Sequence, residues 1–191
     1  MIKELILKNR SYRRFYEEHK ISENEIVELI DLARCSASAR NAQPLKYIIS
    51  STETYNNQIF ETLSWAGYLT DWKGPEKGER PTAYIIVLKD TTISHNIFCD
   101  DGIAAQSILL GATEKGLGGC MIASVNRKAI KQLFNISEEL EIQMVIALGK
   151  PKETVVLTEM KNNNDFKYWR DENNVHYVPK RTLNDLIINK F

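Results

Sequence analysis

Cysteine and histidine are scarce in this 191-residue sequence, with three of each. Cys35, Cys99 and Cys120 are far apart, form no CxxC and have no histidine at ligand spacing. That excludes a disulfide scaffold and a structural zinc site, and leaves three small buried residues in a reducing cytosol as the expectation. His19, His95 and His176 are scattered, and neither HExxH nor a GxSxG elbow is present. A metal site and a serine hydrolase therefore have nothing to stand on. No apolar run approaches the ~18 residues needed to cross a bilayer. The opening MIKELILKNR is broken by Lys3 and Glu4, which predicts no secretion signal and a cytoplasmic protein. Charge of one sign is also missing, because 25 Lys and Arg balance 25 Asp and Glu. No overall field draws the chain to nucleic acid or to a membrane surface, so any anion site must be local.

What is present is an ordinary globular composition, 43% apolar and 26% charged. One domain over residues 1–191 is expected, burying roughly 70% of its unfolded surface. Residues 2–9 can form a short helix. Ser22 and Glu25 make a capping box, with Ile21 poised to staple onto Ile26. The stretch from Ser36 to Pro44 reads as a loop, 47–51 as a strand and 52–64 as a helix. Residues 65–81 carry three glycines and two prolines and form the longest irregular region. Ala83 to Leu88 is a continuous apolar run of strand length, covered on both faces. Asp100 can cap a long helix through Lys115, closed by Gly116 and apolar around most of its circumference. Cys120 to Ala123 and Ile142 to Leu148 read as strands, with an Asn126-capped helix between them. A hairpin is expected around Asn173-Asn174, and Thr182 starts a last helix bearing Leu183, Leu186 and Ile187. The pattern is α+β or α/β, and periodicity alone does not decide between them.

Four segments can carry chemistry. Arg10, Ser11, Arg13 and Arg14 offer fork-shaped donors and a hydroxyl, suited to phosphate or to a polarised carbonyl edge; a solvated basic turn after the first helix reads the same way. Ser36, Ala37, Ser38 and Asn41 allow close backbone approach with polar contacts, as a plain loop also would. Gly116, Gly118 and Gly119 follow a helix and fit neither GxGxxG nor GK[ST], so a mononucleotide loop is rejected. Lys180 and Arg181 precede the last helix, where cations and helix N–H groups suit a phosphate, although such a pair is usually only surface.

Taken in order, these segments resemble the FMN-dependent nitroreductase family. Arg-Ser-Tyr-Arg-Arg-Phe is similar to its Arg-rich N-terminal motif, and Ser36 to Pro44 to its Ser-x-x-Asn-x-Gln-Pro loop. The alanine-rich helix ending in Gly-Leu-Gly and the basic residue before the C-terminal helix complete the set. The resemblance implies an α+β fold, with an antiparallel sheet flanked by helices and a central buried helix that pairs two copies. The C-terminal segment is exchanged in that homodimer, and FMN lies at the interface. Arg10, Ser11 and Arg13 would meet the phosphate, ribityl chain and pyrimidine edge. Ser36, Ala37, Ser38 and Asn41 would approach from the other subunit, Ile122, Ala123 and Ser124 would pass beside the ring, and Lys180 and Arg181 would hold the phosphate. NADH or NADPH would donate electrons for a small acceptor, nitroaromatic or quinone, in a ping-pong cycle that needs no acid–base dyad. Trp65, Tyr68 and Trp72 would cover the flavin face as a substrate lid, although large aromatics are more often packing anchors. Asn9 stands where many members have Arg, Ala37 where Pro is common and Leu45 where Trp is common. The same resemblance admits reductive dehalogenation, dehydrogenation of a peptide-derived substrate, or a flavin carrier without turnover.

Overall fold

A computed structural model describes all residues from Met1 to Phe191. The chain divides into two compact units, Met1–Trp65 with Gly74–Lys152, and Ala66–Lys73 with Glu153–Phe191.

The first unit holds α1 (Ile2–Lys8), α2 (Glu23–Arg34), β1 (Leu45–Ser50), α3 (Glu53–Phe60), β2 (Ala83–Asp90), α4 (Asp100–Glu114), β3 (Gly118–Ile122), α5 (Arg127–Phe134) and β4 (Leu140–Gly149). Its four strands run in the order β1-β2-β4-β3, antiparallel throughout. The continuous apolar run of β2 occupies an interior position of this sheet, and its residues from Ala83 to Lys89 are buried. That is why the strand does not alternate.

Local signals set several boundaries. Ser22 accepts from the Glu25 backbone N–H while the Glu25 carboxylate takes the Ser22 N–H, and Ile21 and Ile26 enter one core cluster. Asn126 caps α5 through Ala129 N–H. Gly116, at φ 73°, adopts the left-handed turn after α4. The helix expected over 52–64 stops at Phe60, and the Thr62 hydroxyl takes the Ile59 carbonyl just beyond it.

α4 packs Ala104, Ala105, Ile108, Leu109 and Ala112 into the core. Gly111 is needed there, because a Cβ would lie 2.3 Å from a Leu32 methyl of α2. The other side of α4 is open, with Ile103 39% exposed. Two expectations are corrected. Asp100 makes no helix cap; Cys99 occupies that position, and the Asp100 carboxylate turns to a loop. Cys35 and Cys99 are exposed and only Cys120 is buried, because the first two sit at helix termini rather than on core faces.

The second unit contains β5 (Val155–Glu159), β6 (Trp169–Arg170), β7 (His176–Lys180) and α6 (Leu183–Leu186). Its sheet order is β5-β7-β6, with β5 parallel and β6 antiparallel to β7. The hairpin between β6 and β7 turns at Asn174, φ 61°. Inside this unit Arg170 pairs with the fully buried Glu153 at 3.0 Å and lies over the Trp72 ring. α6 is a single turn, shorter than expected, because Ile187 leaves it in an extended conformation. No helix is long and apolar enough to cross a membrane.

Candidate functional site

The arginine segment is an arm laid along the outer edge of β3. Ser11 bridges Gly119 in parallel, and Tyr12 N–H donates to the Gly119 carbonyl at 3.0 Å. Phe15 then bridges Pro151, and Tyr16 N–H donates to Lys150. The glycines make this docking possible. A Cβ on Gly118 would stand 2.5 Å from the Tyr12 ring, and one on Gly149 2.6 Å from the Phe15 ring. Their role is close approach of backbone and ring, which agrees with rejecting a phosphate loop at Gly118-Gly119.

One anchor fixes the arm. Arg14 grips Glu79 with Nε and Nη2, at 2.5 and 2.7 Å, and Lys152 adds a third contact at 2.9 Å. These hydrogen bonds, Arg14 foremost, hold the Glu79 carboxyl down at about 2. Arg14 is thus the structural arginine of the cluster. Arg10 differs. Its Nη2 donates to the Ile6 carbonyl, its Nε is sealed from solvent without a partner, and no carboxylate pairs with it. Burial pushes its pKa down, so the guanidinium carries charge in a place that penalises charge. Arg13 Nη1 donates to the Ser11 carbonyl, and Ser11 itself is exposed.

β3 delivers the next group. Its ladder with β4 ends at Ile122 opposite Val145, and Ala123 and Ser124, both exposed, follow beyond it. Ser124 gives its carbonyl to Ser64 N–H, and Val125 bridges Leu63. Arm and strand end therefore share one edge of the sheet.

The Ser36–Pro44 loop lies at the opposite edge, where it feeds β1. Ser36 Oγ meets Ser107 Oγ of α4 at 2.7 Å. Ser38 Oγ donates to Asp100 Oδ2 at 2.5 Å, and Ala39 N–H donates to Oδ1 at 2.9 Å. Arg40, Asn41 and Gln43 all take positive φ, between 52 and 55°. A cavity of about 240 Å³ opens here, lined by Ser36, Ala37, Ser38, Gln43, Tyr47 and Asp100 among others. Burial, reinforced by Asp100, pushes the Tyr47 hydroxyl up to about 12, so it stays a neutral donor. The cavity is smaller than the ~300–1,000 Å³ that usually encloses a whole ligand, so it suits part of one.

Lys180 ends β7 and is exposed, and Arg181 donates to Asn163 Oδ1 at 2.8 Å. The helix start behind them adds little for a phosphate. α6 has four residues, Thr182 and Asp185 cap each other, and Asp185 places a negative charge there. The three aromatic residues separate. Trp65 is 8% exposed, tilted against Phe60 and closed over by Gly74, which makes it a packing anchor. Tyr68 packs on Tyr168 and Phe166, and Trp72 lies under Arg170.

Sequence reasoning missed Glu79, Lys152 and the loop-facing role of Asp100. A lone glutamate in a glycine-rich stretch gives no signal, and an aspartate at a helix start points first to capping.

The residues present fit a flavin mononucleotide in two respects. The unneutralised Arg10 beside exposed Ser11 suits an anionic group, and the loop cavity with its hydroxyl and amide groups suits a polar ring edge.

A family model described as the nitroreductase family matches residues 6–150. A Bacillus subtilis (strain 168) protein named "Putative NAD(P)H nitroreductase YodC" is 27% identical over 176 residues, covering 76% of this chain and 87% of that one. An iodotyrosine deiodinase from Thermotoga neapolitana is 24% identical over 168 residues, covering 79% and 89%. Among solved structures, an FMN-dependent nitroreductase from Clostridium difficile R20291 superposes with a TM-score of 0.65 at 19% identity, covering 86% of this chain and 94% of that one.

Proposed function

The chain belongs to the nitroreductase family, whose model spans well over half of it, and from that premise we propose that it is a cytoplasmic, homodimeric, FMN-dependent oxidoreductase. When bound, FMN would take electrons from NADH or NADPH and hand them to a small oxidised acceptor, a nitroaromatic or a quinone, in a ping-pong cycle.

The protein's part is to bind and orient. Arg10 and Ser11 hold the phosphate and ribityl chain, and Arg13 sets a fixed cation beside the pyrimidine edge. Ile122, Ala123 and Ser124, at the end of β3, pass beside the ring. Lys180 and Arg181 add charge for the phosphate. Ser36, Ala37, Ser38 and Asn41 belong to a second copy's contribution. The sheet order supports that division, since the arm outside β3 and the loop before β1 stand four strand spacings apart, roughly 19 Å. The open side of α4 around Ile103 offers the surface for pairing, and the C-terminal segment, with Leu183, Leu186 and Ile188 exposed, would be exchanged between copies. Tyr68 and Trp72 are the residues we assign to cover the substrate, with buried Trp65 at the start of that segment.

The observation that carries this reading is Arg10, a partly buried guanidinium with no carboxylate, on an arm that three contacts pin in place: Ser11–Gly119, Phe15–Pro151 and Arg14–Glu79. It is tested by adding NADH or NADPH anaerobically to the FMN-loaded protein. The yellow colour should bleach and return on addition of a nitroaromatic or a quinone. Colour that persists with both donors would leave a flavin carrier without turnover. The deiodinase relative favours one second reading, reductive dehalogenation at the same site, and a halogenated phenol in the acceptor screen separates the two.

A further inference from the structure

We propose that Asp100 is the positioning residue of the flavin-facing loop, fixing Ser36–Gln43 from the first turn of α4 and acting through that loop. The inference rests on the flavin reading above and deepens it.

Asp100 is 4% exposed, although an unpaired carboxylate belongs in water. Both of its oxygens are used by the loop, Oδ2 by the Ser38 hydroxyl and Oδ1 by the Ala39 N–H. The Ser38 oxygen in turn accepts from Gln43 N–H at 2.9 Å. One carboxylate therefore ties together the start and the far end of the loop. Within this span Arg40, Asn41 and Gln43 sit in left-handed conformations. Non-glycine residues persist there only when their surroundings over-determine them, and Asp100 with Ser38 supplies that constraint. Ser107, seven residues along α4 and so on the same face, holds Ser36 in a parallel contact. The carboxylate also lies at the positive end of α4, which favours its charge.

The chemistry requires an acceptor at both oxygens. Ser38 has one proton, and giving it to Asp100 leaves its lone pairs free for Gln43 N–H. Asparagine cannot replace aspartate here. With its amide nitrogen towards Ser38, the Ser38 proton loses its acceptor; with the amide reversed, NH₂ faces the Ala39 N–H. The first orientation leaves Ser38 only as an acceptor and the second sets donor against donor, so asparagine loses one of the two ties in either case.

The test compares wild type, Asp100→Asn, Ser38→Ala and the double variant by three measurements. These are the FMN dissociation constant from quenching of flavin fluorescence, amide hydrogen exchange at Ala39 and Gln43, and urea unfolding. Asp100→Asn should weaken FMN binding roughly ten- to hundredfold, as loss of a hydrogen bond to a charged group implies. It should also speed exchange at Ala39 and Gln43 while the β2 amides stay protected. In the Ser38→Ala background the same change should add little, because the asparagine carbonyl can keep the Ala39 N–H while the Ser38 contact is already gone. Equal FMN affinity in wild type and Asp100→Asn overturns the inference, and so do effects of the two single changes that simply add. A wild-type chain that does not bind FMN fails the flavin reading instead. In that case unchanged exchange at Ala39 and Gln43 in Asp100→Asn overturns the positioning role as well, and faster exchange upholds the constraint on the loop.

Discussion

Replacing Glu79 with Gln probes the anchor of the arginine arm. Glu79 is 17% exposed, receives two hydrogen bonds from Arg14 and one from Lys152, and has its pKa lowered from the ordinary 4.5 to about 2. A folded-state pKa below the unfolded one contributes stability that is complete above about pH 4.5 and is lost as the pH falls towards 2. The size of the depression corresponds to about 3 kcal/mol, and partial exposure trims this to about 2 kcal/mol. Glu79→Gln should therefore unfold at lower urea than wild type at neutral pH, by about 2 kcal/mol with an unchanged slope. The gap between the two proteins should close as the pH falls from about 5 to about 2, because the wild-type carboxylate is then protonated too. Comparing the two proteins at each pH removes the contribution of the other carboxylates. A gap below about 0.5 kcal/mol at neutral pH, or one that does not narrow in acid, would refute the assignment of Glu79 as a charged anchor.

Gly118→Ala should cost about 1–3 kcal/mol by the same urea assay, since its Cβ would fall 2.5 Å from the Tyr12 ring and 2.8 Å from Pro151. It should also lower FMN affinity by displacing the arm, whereas Gly102→Ala, with nothing within 4 Å of the added Cβ, should leave that affinity alone. Tyr84 is 1% exposed with a hydroxyl that has no partner, so Tyr84→Phe should leave the melting temperature unchanged or raise it. A loss above about 1 kcal/mol would show that this hydroxyl holds a buried partner.

Features governed by neighbours in the chain were legible in the sequence. The Ser22–Glu25 box, the Asn126 cap, the left-handed Gly116 and the buried run of β2 each follow from residues a few positions apart. Features set by distant partners were not. β5 is only five residues long, and its pairing is a parallel ladder with β7, more than fifteen residues on. Asp100 could be read only as a cap, because its real partners, Ser38 and Ala39, lie some sixty positions upstream. The exposure of Cys35 and Cys99 depends on which helix ends the fold leaves in water. For the candidate site, the order of the segments pointed to the family. Their separation onto opposite edges of the sheet appears only in three dimensions.

The central claim is that guanidinium groups of the N-terminal arm hold FMN, and titration of FMN into wild type, Arg10→Ala and Arg13→Ala measures it most directly. Wild type should bind saturably, and each variant should lose roughly tenfold or more in affinity while keeping the wild-type unfolding midpoint. A wild-type protein that leaves FMN free in solution, or arginine variants that bind it as well as wild type, would contradict the account.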